Sequence, residues 1–316
     1  MNMKTASWLP WKRAGDCLAF MKDFQHILFP VDYSAHCLST LLYVKEMVRS
    51  YNARLTLLHV VEIPINSYGS MDIAFAPDSF DKMFKIGQHK LTTFGKKHFD
   101  DLAGPSPAAT VCDWGDPGYA IVAQAKARGA DLIMMPTHGH GAFHDFLLGS
   151  TTTRVLHRAE CIVWTGAHVE KEYGENESAP HVRIKKILCA LDLERESRHV
   201  IEAAATLAKK FSAHVSLFHC VPVPESGPTE DFASPFDRFL AHSAREKLMK
   251  MQERAGTHFE VVLKGGNISK AVRDTAAHQW NDIIVIGRGH VKDAFSKLRS
   301  NAYAIMRDAP CPVLSV

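Results

Sequence analysis

The feature that most constrains this chain is that it writes the same order of segments twice. HILFPVD at 26–32 returns as KILCALD at 186–192, and ARLTLLHVVEIP at 53–64 returns as AHVSLFHCVPVP at 213–224, both at an offset of 160 residues. GADLIMMP at 129–136 matches WNDIIVIG at 280–287 at an offset of 151, and AECIVWT at 159–165 matches APCPVLS at 309–315 at 150. The order is kept and the offset drifts only through loops. A period this long is duplication of a whole domain, since solenoid repeats run to about 20–50 residues.

Each copy alternates short apolar runs with amphipathic stretches. The first run ends in an aspartate, Asp32 or Asp192. The stretch after Asp32 carries Leu38, Leu41, Leu42 and Met47 near helical spacing, and the one after Asp192 carries Val200, Ile201, Ala204, Leu207 and Ala208. Alternating strands and helices imply a parallel sheet covered on both faces, and nearly continuous apolar strands fit that burial. The expectation is α/β: two tandem, doubly wound, parallel five-stranded sheet domains. The expected limits are an extension at 1–23, a first domain at 24–166, a charged linker at 167–184 and a second domain at 185–316. Ligands of such sheets bind beyond the carboxyl ends of the strands. In the first copy those ends carry Asp32, His59–Val60, Gly115–Asp116 and the segment THGHGAFHDFLLGST at 137–151.

Composition narrows the function classes. With 46% hydrophobic and 22% charged residues and a formal charge of +3, the chain has neither the basic excess of a nucleic-acid binder nor a membrane span. The seven cysteines are odd in number, form no CxxC pair and sit mostly in apolar runs, which points to reduced thiols and a cytoplasmic protein. Residues 1–23 lack the uninterrupted apolar stretch of a signal peptide and read as an extension, either resting on the body through Trp8, Trp11 and Phe20 or partly disordered.

Segment 137–151 invites three readings: phosphate cradle, metal site or plain loop. Glycines let backbone N–H groups approach an anion and take positive φ, and the N-terminus of the helix near 149–156 offers further donors. Ser150 and Thr151 add hydroxyls. His138, His140 and His144 have no Cys or carboxylate partner at a recognised metal spacing and read as solvated loop histidines.

With these residues in place, the chain resembles the universal stress protein family as a tandem two-domain member, over nearly everything after residue 23. Nucleotide binders of that family carry Gly-x-x-Gly, nine residues, then Gly-(Ser/Thr) between strand 4 and helix 4. Here Gly139 is the second glycine, residues 140–148 are the nine, and Gly149–Ser150 close the pattern. The resemblance implies an adenine nucleotide α-hydrolase-like fold, ATP with a divalent cation such as Mg2+, and no settled catalytic reaction. It places Asp32 near the nucleoside, Val60 at adenine, and Gly139, Gly149, Ser150 and Thr151 at the phosphates. It also implies that the last strands of the two copies meet in an intrachain pseudo-dimer, with homodimers and protein partners as further possibilities.

Two departures bear on the site. The family's first glycine is Pro136, which has no N–H and a fixed φ. In the second copy the loop keeps Gly287 and Gly289 but is one residue shorter, and Arg299 stands where Gly149 stood. Arginine can contact phosphate or fill the cradle; filling is the expectation, so the first domain is the expected nucleotide site. His59 and His219 recur at equivalent positions, which suggests a shared packing or hydrogen-bonding role. Asp116–Pro117 reads as a helix start, and Asp131 and Asp282 read as fixing the turn before strand 4. No nucleophile elbow, Walker lysine or paired catalytic carboxylate appears, so the expected activity is stress-linked nucleotide binding without catalysis. The competing expectation is a scaffold of the same fold that binds no nucleotide.

Overall fold

A computed structural model describes residues 23–62, 77–102, 104–138, 148–166, 182–194, 197–223, 232–288 and 297–316, with backbone alone at 77–79 and 297–300. The extension up to residue 22, with Trp8, Trp11 and Phe20, lies outside the described residues, as does most of the expected linker. The first half runs β1 (His26–Pro30), α1 (Ala35–Tyr51), β2 (Arg54–Val61), α2 (Pro77–Phe99), β3 (Ala109–Trp114), α3 (Pro117–Arg128), β4 (Leu132–Met135), α4 (Ser150–Arg158) and β5 (Ile162–Thr165). The second half repeats it as β6 (Lys186–Ala190), α5 (Ser197–Phe211), β7 (His214–Val221), α6 (Pro235–Ala255), β8 (Glu260–Gly265), α7 (Ile268–His278), β9 (Ile283–Ile286), α8 (Lys297–Asp308) and β10 (Val313–Ser315).

The strands form one ten-stranded sheet in the order β3-β2-β1-β4-β5-β10-β9-β6-β7-β8. Within each half all pairings are parallel; the halves join where β5 runs antiparallel to β10, with Trp164 opposite Leu314. The edge strands CIVWT and CPVLSV thus cover each other, which removes two unpaired apolar edges. Side chains stitch the seam: Ser315 Oγ donates to the Val163 carbonyl at 3.0 Å, and Thr165 Oγ1 to that of Val313 at 3.4 Å. In each half the strand order reverses beside the first strand, β1 or β6, the place beyond whose carboxyl end sheets of this kind bind their ligands in a crevice.

Helices α1, α2, α5 and α6 cover one face through a single apolar layer that crosses the seam, with Tyr51 of α1 meeting Phe211 of α5 at 6.1 Å between ring centroids. The opposite face holds two separate cores, one under α3 and α4 and one under α7 and α8. Leu148, just before α4, is buried in the core of the second half. Ile184, at the end of the segment read as linker, is fully buried and belongs to the shared layer.

Asp131 and Asp282 do more than fix their own turns. Asp131 accepts from the backbone N–H of Gln25 (2.8 Å) and His26 (3.1 Å), at the start of β1. Asp282 accepts from those of Lys185 (2.7 Å) and Lys186 (2.9 Å), at the start of β6. In both copies, therefore, the residue before the fourth strand anchors the first strand.

Candidate nucleotide site

At the end of β1 the chain passes through Asp32 into α1. Asp32 Oδ1 accepts from the backbone N–H of Ser34 (2.9 Å) and from its hydroxyl (2.7 Å), while Ser34 Oγ accepts from the Cys37 N–H and caps the helix. Between them Tyr33 sits at φ 67°, a conformation an L-residue adopts at a cost of roughly 1–2 kcal/mol. Its ring packs against His59 and Phe94 and under the Lys90 ammonium, 3.8 Å from the centroid. Burial pushes the Tyr33 hydroxyl pKa well up, and that hydroxyl makes no hydrogen bond among the described residues. His59 Nδ1 donates to the Val31 carbonyl at 2.8 Å, locking the end of β2 to the turn. Val60, next along β2, is half-buried and paired with Asp113 of β3.

Beyond β4, Pro136 and Thr137 are buried. The Gly149 N–H donates to the Thr137 carbonyl at 2.9 Å. A Cβ on Gly149 would stand 3.2 Å from that oxygen, while its φ of −55° is open to any residue. What glycine supplies here is a close approach of two chain segments, which a Cβ would tighten against the Thr137 carbonyl, and not a positive φ. Its N–H is also already engaged. Thr152 Oγ1 reinforces the clasp by donating to the carbonyls of Pro136 (3.1 Å) and Thr137 (3.3 Å). The first helical amide of α4 to find its acceptor is Thr153, bonded to the Gly149 carbonyl. The amides of Ser150, Thr151 and Thr152 precede it, and the first N–H groups of a helix have no intrahelical partner. Ser150 is exposed and Thr151 half-buried, so this turn faces the crevice with no acidic side chain of its own. His138, read as solvated, is half-buried, touches the Thr137 hydroxyl and lies with its ring 5.9 Å from that of His36. Gly139, His140 and His144 lie outside the described residues.

The structure thus brings Asp32, Val60, Ser150 and Thr151 to the carboxyl ends of the central strands, with Gly149 as the joint beneath them. Beside them, Asp116 caps α3 by accepting from the Tyr119 N–H at 3.1 Å. Its other oxygen pairs with Arg154 of α4, tying the two helices together. Partial burial opposes its ionisation, but the Arg154 and Tyr119 hydrogen bonds outweigh that and hold its pKa below the usual carboxylate range. Gly118 leaves room for this contact, since a Cβ there would meet Arg154 at 2.8 Å.

The second copy repeats the frame. Asp192 Oδ1 accepts from the Glu194 N–H and the Ser197 hydroxyl, Leu193 takes φ 63°, and His219 Nδ1 donates to the Leu191 carbonyl at 2.8 Å. The shared role of His59 and His219 is this bond. After β9 the copies part. Arg288, the counterpart of Thr137, donates across the seam to the carbonyls of Ala159 (3.0 Å) and Cys161, where α4 ends. Tyr303 of α8 meets the Thr153 hydroxyl at 3.1 Å. The Arg299 side chain lies outside the described residues. Sequence reasoning missed Thr152 and Arg288, whose partners lie 15 or more residues away.

A sequence model of the universal stress protein family matches residues 23–165 and again 183–316. Universal stress protein A of Yersinia pestis is 31% identical over 137 residues, 42% of this chain and 90% of that protein. Universal stress protein A homolog 2 of Coxiella burnetii is 34% identical over 124 residues, 38% of this chain and 77% of that protein. Among solved structures, a universal stress protein from Archaeoglobus fulgidus superposes with a TM-score of 0.66 at 18% identity, covering 92% of this chain and 97% of its own.

Proposed function

This chain belongs to the universal stress protein family, and from that premise we propose that its first half binds an adenine nucleotide, ATP in particular, as a cytoplasmic stress-response or signalling protein. The observation that carries the reading is the α4 turn. Ser150 and Thr151 open that helix with amides ahead of Thr153, the first to bond within it, and Asp32 and Val60 stand at the neighbouring strand ends. An anion gains about 0.3–1 kcal/mol from each such charge–dipole contact at a surface, so several must act together. Ser34 fixes the Asp32 carboxylate at the end of β1, a group whose chemistry suits accepting from hydroxyls of a ribose-like group. The residues present suit a nucleotide, whose triphosphate would bring its own Mg2+. The role is binding and release, with the nucleotide state setting the conformation offered to a protein partner; no catalytic residue is assigned.

A second reading, a scaffold that binds no nucleotide, is favoured by two observations. Pro136 offers no N–H, and the Gly149 N–H is spent on Thr137. Heat-denaturing the purified full chain and chromatographing the supernatant separates the readings. Adenine nucleotide near one per chain supports the first. Its absence, together with no heat of binding on titration with MgATP, would leave the scaffold.

A further inference from the structure

The counterpart of Thr137 in the second half is Arg288, by the 151-residue offset that relates β4 to β9. In the first half this residue clasps Gly149 and the start of α4. In the second it makes no such clasp among the described residues. Its backbone N–H bonds the Val316 carbonyl, and its guanidinium crosses the seam to the carbonyls of Ala159 and Cys161. The Ala159 carbonyl belongs to the C-cap of α4 and that of Cys161 to the turn into β5, just past the helix end, where the helix dipole favours a cation.

We propose that Arg288 is a positioning residue for the nucleotide site of the other half, acting through α4. The proposal rests on the nucleotide reading above. Helix α4 is short, Ser150–Arg158, about 13 Å from end to end, and such a rod moves as a unit. Val155, fully buried, and Leu156 seat it on the core, and among the described residues its polar attachments fall at its start, middle and end. Thr152 and Gly149 hold its first turn to the β4 loop. Arg154 and Thr153 hold its middle, to Asp116 of α3 and Tyr303 of α8. Arg288 holds the C-cap carbonyl at its end, next to Arg158, which donates to the Tyr119 hydroxyl of α3. Releasing that end lets the helix tilt about its middle and displaces the amides and hydroxyls of Ser150 and Thr151. The second half then serves the first by fixing its phosphate-facing helix, a use for a copy whose own loop carries Arg299 at the cradle position. By linkage, nucleotide bound at the first half must steady the same seam.

The test uses the full chain with Arg288→Met, which keeps the aliphatic stem and removes both donors, and Arg288→Lys, which keeps the charge. Ser315→Ala is the control, because it cuts a seam hydrogen bond between β10 and β5 without touching α4. Two quantities are read: MgATP affinity by calorimetry, and amide hydrogen exchange of residues 150–158 without nucleotide. Arg288→Met should weaken MgATP by on the order of fivefold or more, the low end of coupling between sites, and speed exchange in α4. Arg288→Lys should fall between, and Ser315→Ala should leave both quantities unchanged. Wild-type affinity in Arg288→Met, or equal losses in Arg288→Met and Ser315→Ala, would overturn the proposal. If the wild-type chain binds no MgATP, the nucleotide reading fails by itself. Exchange then decides whether Arg288 positions α4: faster exchange in Arg288→Met alone supports it, and unchanged exchange overturns it. Should Arg288→Met not fold, the same comparison between Arg288→Lys and wild type decides.

Discussion

In the first half, the residue two past β4, Thr137, turns its carbonyl inward and receives Gly149; in the second, its counterpart Arg288 sends its side chain out to the neighbouring half. Around that difference the copies agree closely. Each anchors its first strand with an aspartate from before the fourth, and each locks its second strand with a histidine Nδ1 on a backbone carbonyl at 2.8 Å. Each turns out of its first strand through a residue at positive φ, Tyr33 or Leu193. What repeats is what closes the sheet; what diverges is what faces the crevice. The duplicated chain has kept these mechanical bonds twice, while past β4 and β9 the two copies part.

The sharpest way to break that comparison is to give the first copy the second copy's residue. Gly149→Arg has an allowed backbone at φ −55°, but its Cβ presses on the Thr137 carbonyl at 3.2 Å and its side chain fills the crevice mouth. MgATP affinity should fall by about 100-fold or more, a loss of roughly 2.7 kcal/mol. Gly149→Ala separates the two causes, since it brings the Cβ without the guanidinium. Unchanged calorimetric affinity in the arginine variant would mean that α4 does not face the ligand.

The repeated half of the comparison is tested by Asp131→Ala and Asp282→Ala. Each removes a carboxylate that holds two backbone N–H groups at the start of a strand. Hydrogen bonds to a charged group contribute about 1.5–3 kcal/mol, and exposure at the strand start pulls this to the low end, so each variant should lose about 2 kcal/mol in denaturant unfolding. Near-equal losses support equivalent roles. A loss in one copy alone would show that the symmetry is geometric without being energetic.

These aspartates also mark where the sequence could be read and where it could not. Their recurrence before the fourth strand was legible. Their partners, about 100 positions upstream, were not, because local pattern carries no record of which strand start folds back beside them. The duplication, the parallel order and the Asp116 cap follow from repetition, periodicity and capping chemistry, while the meeting of the last strands at the seam was implied by the resemblance to the family. Asp32, Gly149, Ser150 and Thr151 were named through the resemblance to the family, whereas the close approach of Gly149 to Thr137 is visible only when both segments are in place. Arg288 looked like part of a degenerate loop, and nothing in its neighbours signals a partner 129 residues away in the other half.

A smaller effect is expected at the entrance of the first loop. Pro136→Gly restores an N–H and backbone freedom in front of the crevice. It should tighten MgATP about tenfold, or roughly 1.4 kcal/mol, the size of one good hydrogen bond. Because Pro136 is buried and its carbonyl accepts from Thr152, the variant should also lose about 1 kcal/mol of stability, chiefly through the freer unfolded chain. Tighter binding with lower stability would identify Pro136 as a trade of affinity for rigidity. Lower stability without tighter binding would leave the proline with a structural role only.

The smallest expected effect lies far from the crevice, at a turn where the copies share a conformation but not a residue. The helix before β4 ends on Gly129 at φ 63°, and the helix before β9 turns through Trp280 at φ 54°. Glycine takes this left-handed conformation freely, whereas an L-residue carries a penalty of roughly 1–2 kcal/mol. Trp280 is 82% exposed, so its side chain recovers little of that by burial. Trp280→Gly should therefore stabilise the second half. The gain is reduced by the extra freedom glycine gives the unfolded chain, an offset of about 0.4–1 kcal/mol, which leaves a net of roughly 0.5 kcal/mol. The mirror variant, Gly129→Trp, should cost the first half a similar amount. Denaturant unfolding of both variants checks the pair. If Trp280→Gly destabilises instead, the indole contributes contacts that outweigh its strained backbone, and the two turns differ in energy as well as in sequence.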